Sequence, residues 1–192
     1  QQERMVRRDP PIGLKSQARQ SSNSPPNSNM RAKLFALIIF AISFAFVEAA
    51  VVFYLRTIFH YSEGYLRGSY KVLLDTAIVT FIWPDIPILN DIQITSAEIQ
   101  REVLTIIMLF AVAFLSSSKW KQRLGAFLIM FCFWDIFYYI FLRYLTGWPK
   151  SFLDIDVYFI VPVPWIGPVI TPIIIFTILG AVGIKLYLSK NQ

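Results

Sequence analysis

Four long apolar stretches alternate with polar, proline-containing segments along this chain. They cover about residues 32–55, 96–115, 123–145 and 167–188. Each holds about 20 residues or more, and a helix rising about 1.5 Å per residue then crosses roughly 30 Å of hydrocarbon. The pattern predicts an all-α fold, an integral membrane four-helix bundle.

Two segments between the apolar stretches have a different character. Residues 72–83 are apolar but short, Asp75 interrupts them, and Pro84 and Pro87 follow. We predict an interfacial or re-entrant outer segment here. A fifth span over residues 72–89 is the alternative, which the two prolines disfavour. Residues 152–165 are similarly punctuated by Asp and Pro, and we expect the stretch Pro162–Pro168 to cap the outer end of the bundle.

The residues at the helix ends and at one expected helix contact refine the prediction of these helices. Ser96 is a plausible N-cap for the second helix. Pro168 suits the first turn of the fourth helix, and Pro172 is expected to kink it. A patch of small side chains farther along the fourth helix predicts a close helix contact. Its members are Gly180, Ala181 and Gly183.

The distribution of basic residues predicts the topology. The net charge is +6, and Lys and Arg crowd the first 33 positions, the stretch 119–123 and the C-terminal end. Four spans place all three basic segments on one side, which the positive-inside rule makes cytoplasmic, as are both termini. Residues 1–29 are polar and proline-containing, so we predict a disordered basic cytoplasmic arm before a membrane domain at residues 30–192.

Composition and motif content limit the function classes. Hydrophobic residues make up 56% of the chain and aromatic residues 16%, more than a soluble domain of this length buries, so lipids are expected partners. No basic motif of a nucleic-acid-binding domain is present, and nucleic acid is not an expected partner. Cys132 is the one cysteine and His60 the one histidine. No cofactor-binding motif is evident, and a haem with two histidine ligands is disfavoured because the chain has one histidine. The sequence assigns no ligands to a metal ion. No catalytic motif assigns a catalytic residue.

Three carboxylates fall inside predicted spans at a similar depth. Glu48 lies about 15 residues, or roughly 22 Å, from the cytoplasmic end of its helix, and Asp135 about 12 residues, or roughly 18 Å. Glu102 lies about six residues, or roughly 9 Å, from the outer end. The predicted intramembrane polar cluster comprises Glu48, Arg101, Glu102, Asp135, Tyr138 and Tyr139, under an outer lid with Asp154, Asp156 and Trp165.

This cluster has two interpretations. The first is a functional site near the outer surface: a proton relay, a cation site or a small-substrate pocket. The second is a structural network in which Arg101 neutralises Glu48 or Asp135 and tyrosine hydroxyls complete the hydrogen bonds. The predicted cluster contains one arginine and three carboxylates, so its negative charge is not fully neutralised. This excess keeps the interpretation as a functional site open.

Tryptophans and the lone histidine receive simpler interpretations. Trp83, Trp148 and Trp165 are predicted to form an aromatic belt at the outer interface. Trp134 lies in mid-span beside Asp135 and is expected to contact lipid. His60 is expected to be a surface histidine rather than a metal ligand.

Several runs resemble those of a family of uncharacterised bacterial multi-span membrane proteins. The runs are Glu48–Arg56 (EAAVVFYLR), Trp134–Tyr139 (WDIFYY), Gly147–Pro149 and Pro162–Pro168. The resemblance covers about residues 34–188. It implies a bacterial inner membrane and carries no activity.

Three functions are therefore expected, in this order. The first is an accessory subunit that packs with other membrane subunits in a larger complex. The second is a cation-handling, proton-handling or transport protein that uses the intramembrane carboxylates. The third is a membrane enzyme acting on a lipid or quinone.

Overall fold

The computed structural model describes residues 28–59, 70–76, 78–85 and 91–189. Helices and strands alternate in pairs along this part of the chain. In chain order the elements are α1 (Ser28–Phe59), β1 (Tyr70–Asp75), β2 (Thr80–Pro84), α2 (Ile92–Ser116), α3 (Trp120–Thr146), β3 (Ile155–Phe159), β4 (Trp165–Pro168) and α4 (Ile170–Leu188). The predicted N-terminal arm and His60 lie outside the described residues.

All four helices are long and apolar enough to cross a membrane. Their most apolar segments have mean hydropathies from 1.7 to 2.5. The four predicted apolar helices are therefore confirmed, although each begins or ends a few residues from its predicted limit. Hydropathy locates such helices well because it depends only on neighbouring residues.

The fold is not all-α, because the described residues also form a four-stranded sheet. Its strand order is β1-β2-β4-β3, and each neighbouring pair is antiparallel. Strands β1 and β2 pair antiparallel, so a fifth helical span does not run through the residues that form them. Sequence periodicity missed the sheet because its central pair joins β2 to β4 from distant parts of the chain.

The sheet defines one end of the helical region. It is made from the segments between α1 and α2 and between α3 and α4, and we call this end the sheet end. The hydroxyl of Thr171, at the start of α4, donates to the carbonyl of Ile78 at 3.3 Å. The opposite end carries the short turn Ser117–Lys119 between α2 and α3, and we call it the loop end.

Small residues allow α3 to pack closely against its neighbours. Ala41, Ala45 and Ala49 recur every four residues on α1 and are fully buried. On the other side, a Cβ atom added to Gly125 would lie 2.6 Å from the Gly183 carbonyl oxygen of α4. Gly180 likewise leaves no room for a side chain beside Cys132. The predicted small-residue patch thus meets α3 through its two glycines, while Ala181 is exposed.

The helix starts differ from the predicted ones for local reasons. Asp91, not Ser96, caps α2: its Oδ1 accepts the N–H groups of Gln93 and Ile94 at 2.7 and 3.0 Å. Pro168 ends strand β4 instead of opening a helix. Pro172 is the third residue of α4, where a missing N–H costs no intrahelical hydrogen bond, so it requires no kink.

Candidate functional site

A cavity of about 120 Å³ lies at the sheet end, between α1, α2, α3 and the chain that runs through β3. Charged and aromatic side chains dominate its wall. The lining residues are Glu48, Val52, Leu55, Arg56, Glu98, Arg101, Glu102, Thr105, Trp134, Asp135, Tyr138, Tyr139, Asp156, Val157, Tyr158, Phe159 and Ile160. We call this space the sheet-end cavity.

An ion network joins α1 to α2 along one wall of the cavity. Arg101 forms ion pairs with Glu48 of α1 and with Glu98 one turn earlier on α2. Its Nε and Nη2 atoms both donate to Oε2 of Glu98, at 2.9 and 2.6 Å. The Thr105 hydroxyl donates to Oε1 of Glu48 at 2.8 Å. Glu98, Arg101 and Thr105 share one helix face by their spacing of three and four residues.

Glu102 holds the chain that leaves strand β3. Its two carboxylate oxygens accept the backbone N–H groups of Ile160 and Val161 at 2.9 and 3.0 Å. These N–H groups lie just beyond the end of the strand and would otherwise lack a partner in the sheet. The carboxylate therefore fixes the start of the proline-rich segment against α2.

Asp156 brings the sheet into contact with α3. The Tyr139 hydroxyl donates to its Oδ2 at 2.9 Å, and both side chains are buried. Burial raises the pKa of Asp156 from 3.8 to about 6, although the Tyr139 hydrogen bond, the charge of Arg56 and the Val157 N–H each lower it. Asp156 therefore holds a proton to a higher pH than an exposed aspartate does.

Asp135 and Trp134 retain polar atoms without a hydrogen-bond partner among the described residues. These atoms are Oδ2 of Asp135 and Nε1 of Trp134. The two residues are only 8% and 7% exposed, so solvent reaches them poorly. Trp134 does not contact lipid as expected, because it packs between Phe131 and Phe159, with ring centroids 5.1 and 6.2 Å away. A buried polar group without a partner costs about 1–3 kcal/mol.

Negative charge exceeds positive charge around the cavity. Of the described lining residues five are carboxylic acids and two are arginines, which leaves a formal excess of three negative charges. Four of the acids have partners inside the protein, and Asp135 is the exception at its Oδ2. No three His, Cys, Asp or Glu side chains within residues 28–59, 70–76, 78–85 and 91–189 are placed to hold a metal ion.

The structure brings all six residues of the predicted polar cluster to this one cavity. Of the predicted lid residues, Asp156 lines it as well. Asp154 instead stabilises a turn, where its Oδ2 accepts the N–H groups of Lys150 and Ser151 at 2.7 and 3.0 Å. Trp165 packs on Phe81 and Phe159 and is not part of the cavity wall.

Sequence reasoning left several side chains of the cavity wall out of the cluster, among them Glu98, Arg56 and Trp134. Glu98 lies one turn before Glu102, and Arg56 lies two turns after Glu48, so helical spacing was the available indication. Trp134 was assigned to lipid because hydropathy does not distinguish a lipid-facing side chain from a buried one.

The predicted aromatic belt also differs from the structure. Trp83 is 59% exposed, as an interfacial residue would be, but Trp148 is 4% exposed. The guanidinium of Arg56 lies over the Trp148 ring at 4.5 Å.

Comparison of the chain with protein-family models, with curated proteins and with solved structures gives no match. The geometry of the cavity is therefore the basis for a functional assignment.

Proposed function

We propose that the chain is an integral membrane protein that binds and handles a cation, either a proton or a small positively charged solute, in the sheet-end cavity. The observation that carries this proposal is the excess of three carboxylates in the wall, together with the unpartnered Oδ2 of buried Asp135.

The surface of the helices supports insertion in a membrane. Large apolar side chains on α2 are widely exposed, including Leu104 at 56%, Ile107 at 54% and Leu115 at 83%. In water such a surface would be costly, whereas lipid chains solvate it. Lys33, Lys119 and Lys121 belong to the loop end. The proposal therefore has the loop end in the cytoplasm and the sheet end on the outer side of a bacterial inner membrane.

Electrostatics favours a cation over a purely structural network. Arg101 pairs with Glu48 and Glu98, and these two ion pairs are what a purely structural network would contain. They leave Asp135 without a counter-charge at hydrogen-bond distance from Oδ2. A buried carboxylate is costly in a medium of low dielectric constant unless it gains a proton or meets a cation. Either event is cation handling in the sense proposed.

The test uses the full chain reconstituted in lipid. Cation binding is measured by calorimetry on protein in nanodiscs, titrated with Na⁺, K⁺, Mg²⁺ and small ammonium ions. Proton movement is measured in liposomes with a luminal pH dye, under a potential set by K⁺ and valinomycin. Wild-type protein is expected to bind at least one cation or to admit protons.

Two variants make the result specific. Asp135→Asn is expected to lower the response at least tenfold, because the amide keeps the shape of the side chain and removes its charge. Asp85→Asn changes an exposed carboxylate of the sheet end outside the cavity and is expected to keep the wild-type response. The proposal is overturned if wild-type protein shows neither binding nor proton movement, or if both variants behave alike.

An accessory subunit of a larger membrane complex is the second candidate. It is favoured by exposed aromatic side chains near the sheet end, such as Tyr54 at 57% and Tyr144 at 82%, since aromatic residues are enriched in protein interfaces. Purification in native lipid followed by mass spectrometry tests it. A stoichiometric partner lost on replacing Tyr54 and Tyr144 by Ala supports the subunit; a solitary protein contradicts it.

A further inference from the structure

We infer that the loop end binds anionic phospholipid, with lysine side chains on the lipid phosphate and exposed aromatic and aliphatic side chains against the acyl chains. The inference concerns the end of the molecule opposite the sheet-end cavity. It does not depend on the proposed handling of cations, so a failure of one leaves the other standing.

The described part of the loop end carries basic residues and no acidic ones. Residues 28–47, 103–134 and 174–189, which include the loop-end portions of all four helices, contain neither Asp nor Glu. Their basic residues are Arg31, Lys33, Lys119, Lys121, Arg123 and Lys185. Because these segments offer no carboxylate to neutralise the positive charge, an anion from outside the chain is the complementary partner.

Packing brings basic residues of different helices to the short turn between α2 and α3. Nζ of Lys33 on α1 donates to the carbonyl of Ser116 at 3.3 Å. Nε of Arg123 on α3 donates to the carbonyl of Ser117 at 2.7 Å, and its guanidinium lies 3.6 Å from the centre of the Phe114 ring. These contacts hold positive charge from α1 and from α3 beside one turn.

Lys119 and Lys121 present further positive charge at this turn. Both residues are exposed, and neither forms an ion pair with a residue in the described ranges. A lysine ammonium binds phosphate as a point charge on a flexible stem, so it requires no fixed geometry. Two such lysines can therefore reach the phosphate of a lipid that lies against the turn.

Large apolar side chains border these lysines. Trp120 lies between them in the sequence and is 60% exposed, and Leu115 just before the turn is 83% exposed. The Trp120 ring lies 6.3 Å from that of Phe110 on α2, which is 47% exposed, so the apolar surface continues from the turn along the helix. A dissolved polyanion such as a nucleic acid would leave this surface in water, whereas a phospholipid covers both the charges and the apolar groups.

The experiment measures lipid selection by the full chain in a mild non-ionic detergent. Phosphatidylglycerol and phosphatidylcholine with the same acyl chains are titrated separately, and bound lipid is counted by native mass spectrometry. Phosphatidylglycerol is expected to bind at least tenfold tighter, because each lysine near an anionic lipid contributes about fivefold in affinity. Soluble glycerol 3-phosphate, which has the phosphate without the acyl chains, is expected not to compete at the same concentration.

A pair of double variants tests the lysines. Lys119→Gln with Lys121→Gln is expected to lower the affinity for phosphatidylglycerol at least tenfold and to leave phosphatidylcholine unchanged. Lys119→Arg with Lys121→Arg keeps the charge and is expected to keep the preference. Lys71→Gln with Lys150→Gln is the matched control, because it removes two exposed lysines of the sheet end. The control is also expected to keep the preference.

A pair of tryptophan variants tests the apolar contact. Trp120→Ala is expected to weaken both lipids several-fold, because the indole contacts the acyl chains of either one. Trp83→Ala is the matched control, since Trp83 is 59% exposed and lies at the sheet end. It is expected to leave both affinities unchanged.

Four results would each overturn the inference. They are equal affinity of the wild type for the two lipids, equal loss of preference in the two glutamine double variants, equal behaviour of Trp120→Ala and Trp83→Ala, and competition by glycerol 3-phosphate as strong as that by the lipid. The last result would identify a site for a soluble phosphate.

Discussion

The hydroxyl of Thr105 joins two helices through a single hydrogen bond. Thr105 is 1% exposed, and it donates to Oε1 of Glu48 on α1 at 2.8 Å. Thr105→Val keeps the shape and removes the donor from a buried carboxylate. We expect the free energy of unfolding to fall by about 1–3 kcal/mol, measured by denaturation in detergent.

A second threonine provides the control for this substitution. The hydroxyl of Thr177 donates to the Ile173 carbonyl within the exposed face of α4. Thr177→Val is expected to change stability by no more than about 0.5 kcal/mol. Equal effects of the two substitutions would contradict a stabilising role for the contact between α1 and α2.

Asp156 makes stability depend on pH in a defined window. Its pKa of about 6 in the folded protein exceeds the ordinary 3.8, mainly because of burial. The folded state therefore holds the proton more tightly than the unfolded state. The stability contributed by this group is fully present below about pH 4 and is lost as the pH rises through about 6.

Asp156→Asn removes this titration and still offers an oxygen to the Tyr139 hydroxyl. The decline in unfolding midpoint between about pH 4 and 6 is expected to become shallower than in the wild type. Asp85→Asn, at an exposed position, should keep the wild-type slope. A variant profile parallel to that of the wild type would show that Asp156 does not titrate in this window.

The three carboxylates of the cavity show which features of the site followed from the sequence and which did not. The common depth of Glu48, Glu102 and Asp135 followed from topology and the helical rise, and all three line one cavity. Their partners did not follow. The sequence offered Arg101 more than one carboxylate partner. Which carboxylate it pairs with depends on the lateral arrangement of the helices, and the rise per residue does not determine that arrangement.

At the scale of elements, close packing of α3 against α4 depends on glycines of both helices. A Cβ atom at Gly125 would lie 2.6 Å from both the Gly183 oxygen and the Tyr187 nitrogen, which are backbone atoms and cannot rotate away. Gly125→Ala therefore requires the helices to separate. We expect a loss of about 1–3 kcal/mol, measured as a lower unfolding midpoint in detergent.

An added side chain on the other face of α4 should have no such effect. Ala181 is exposed, so Ala181→Leu is expected to stay within about 0.5 kcal/mol of the wild type. If Gly125→Ala were equally harmless, the close approach of the two helices would not contribute to stability.

At the scale of the whole molecule, the proposed sidedness can be tested with two serines. Ser118 belongs to the loop end and Ser151 to the sheet end, and both are exposed. In a Cys132→Ala background, an impermeant maleimide applied to spheroplasts is expected to label Ser151→Cys and not Ser118→Cys. Labelling both after lysis is the control, and the reverse pattern in intact cells would invert the topology.

The sequence by itself predicted the four apolar helices and the grouping of Glu48, Glu102 and Asp135, which line one cavity. Both depend on local quantities, namely the hydropathy of a stretch and the rise of a helix along its axis. Tertiary structure alone decided the sheet, because β2 pairs with β4 across the two helices between them. It also decided that Oδ2 of Asp135 and Nε1 of Trp134 are buried with no hydrogen-bond partner among the described residues. Which polar atoms lack a partner depends on how the neighbouring side chains are hydrogen-bonded to one another.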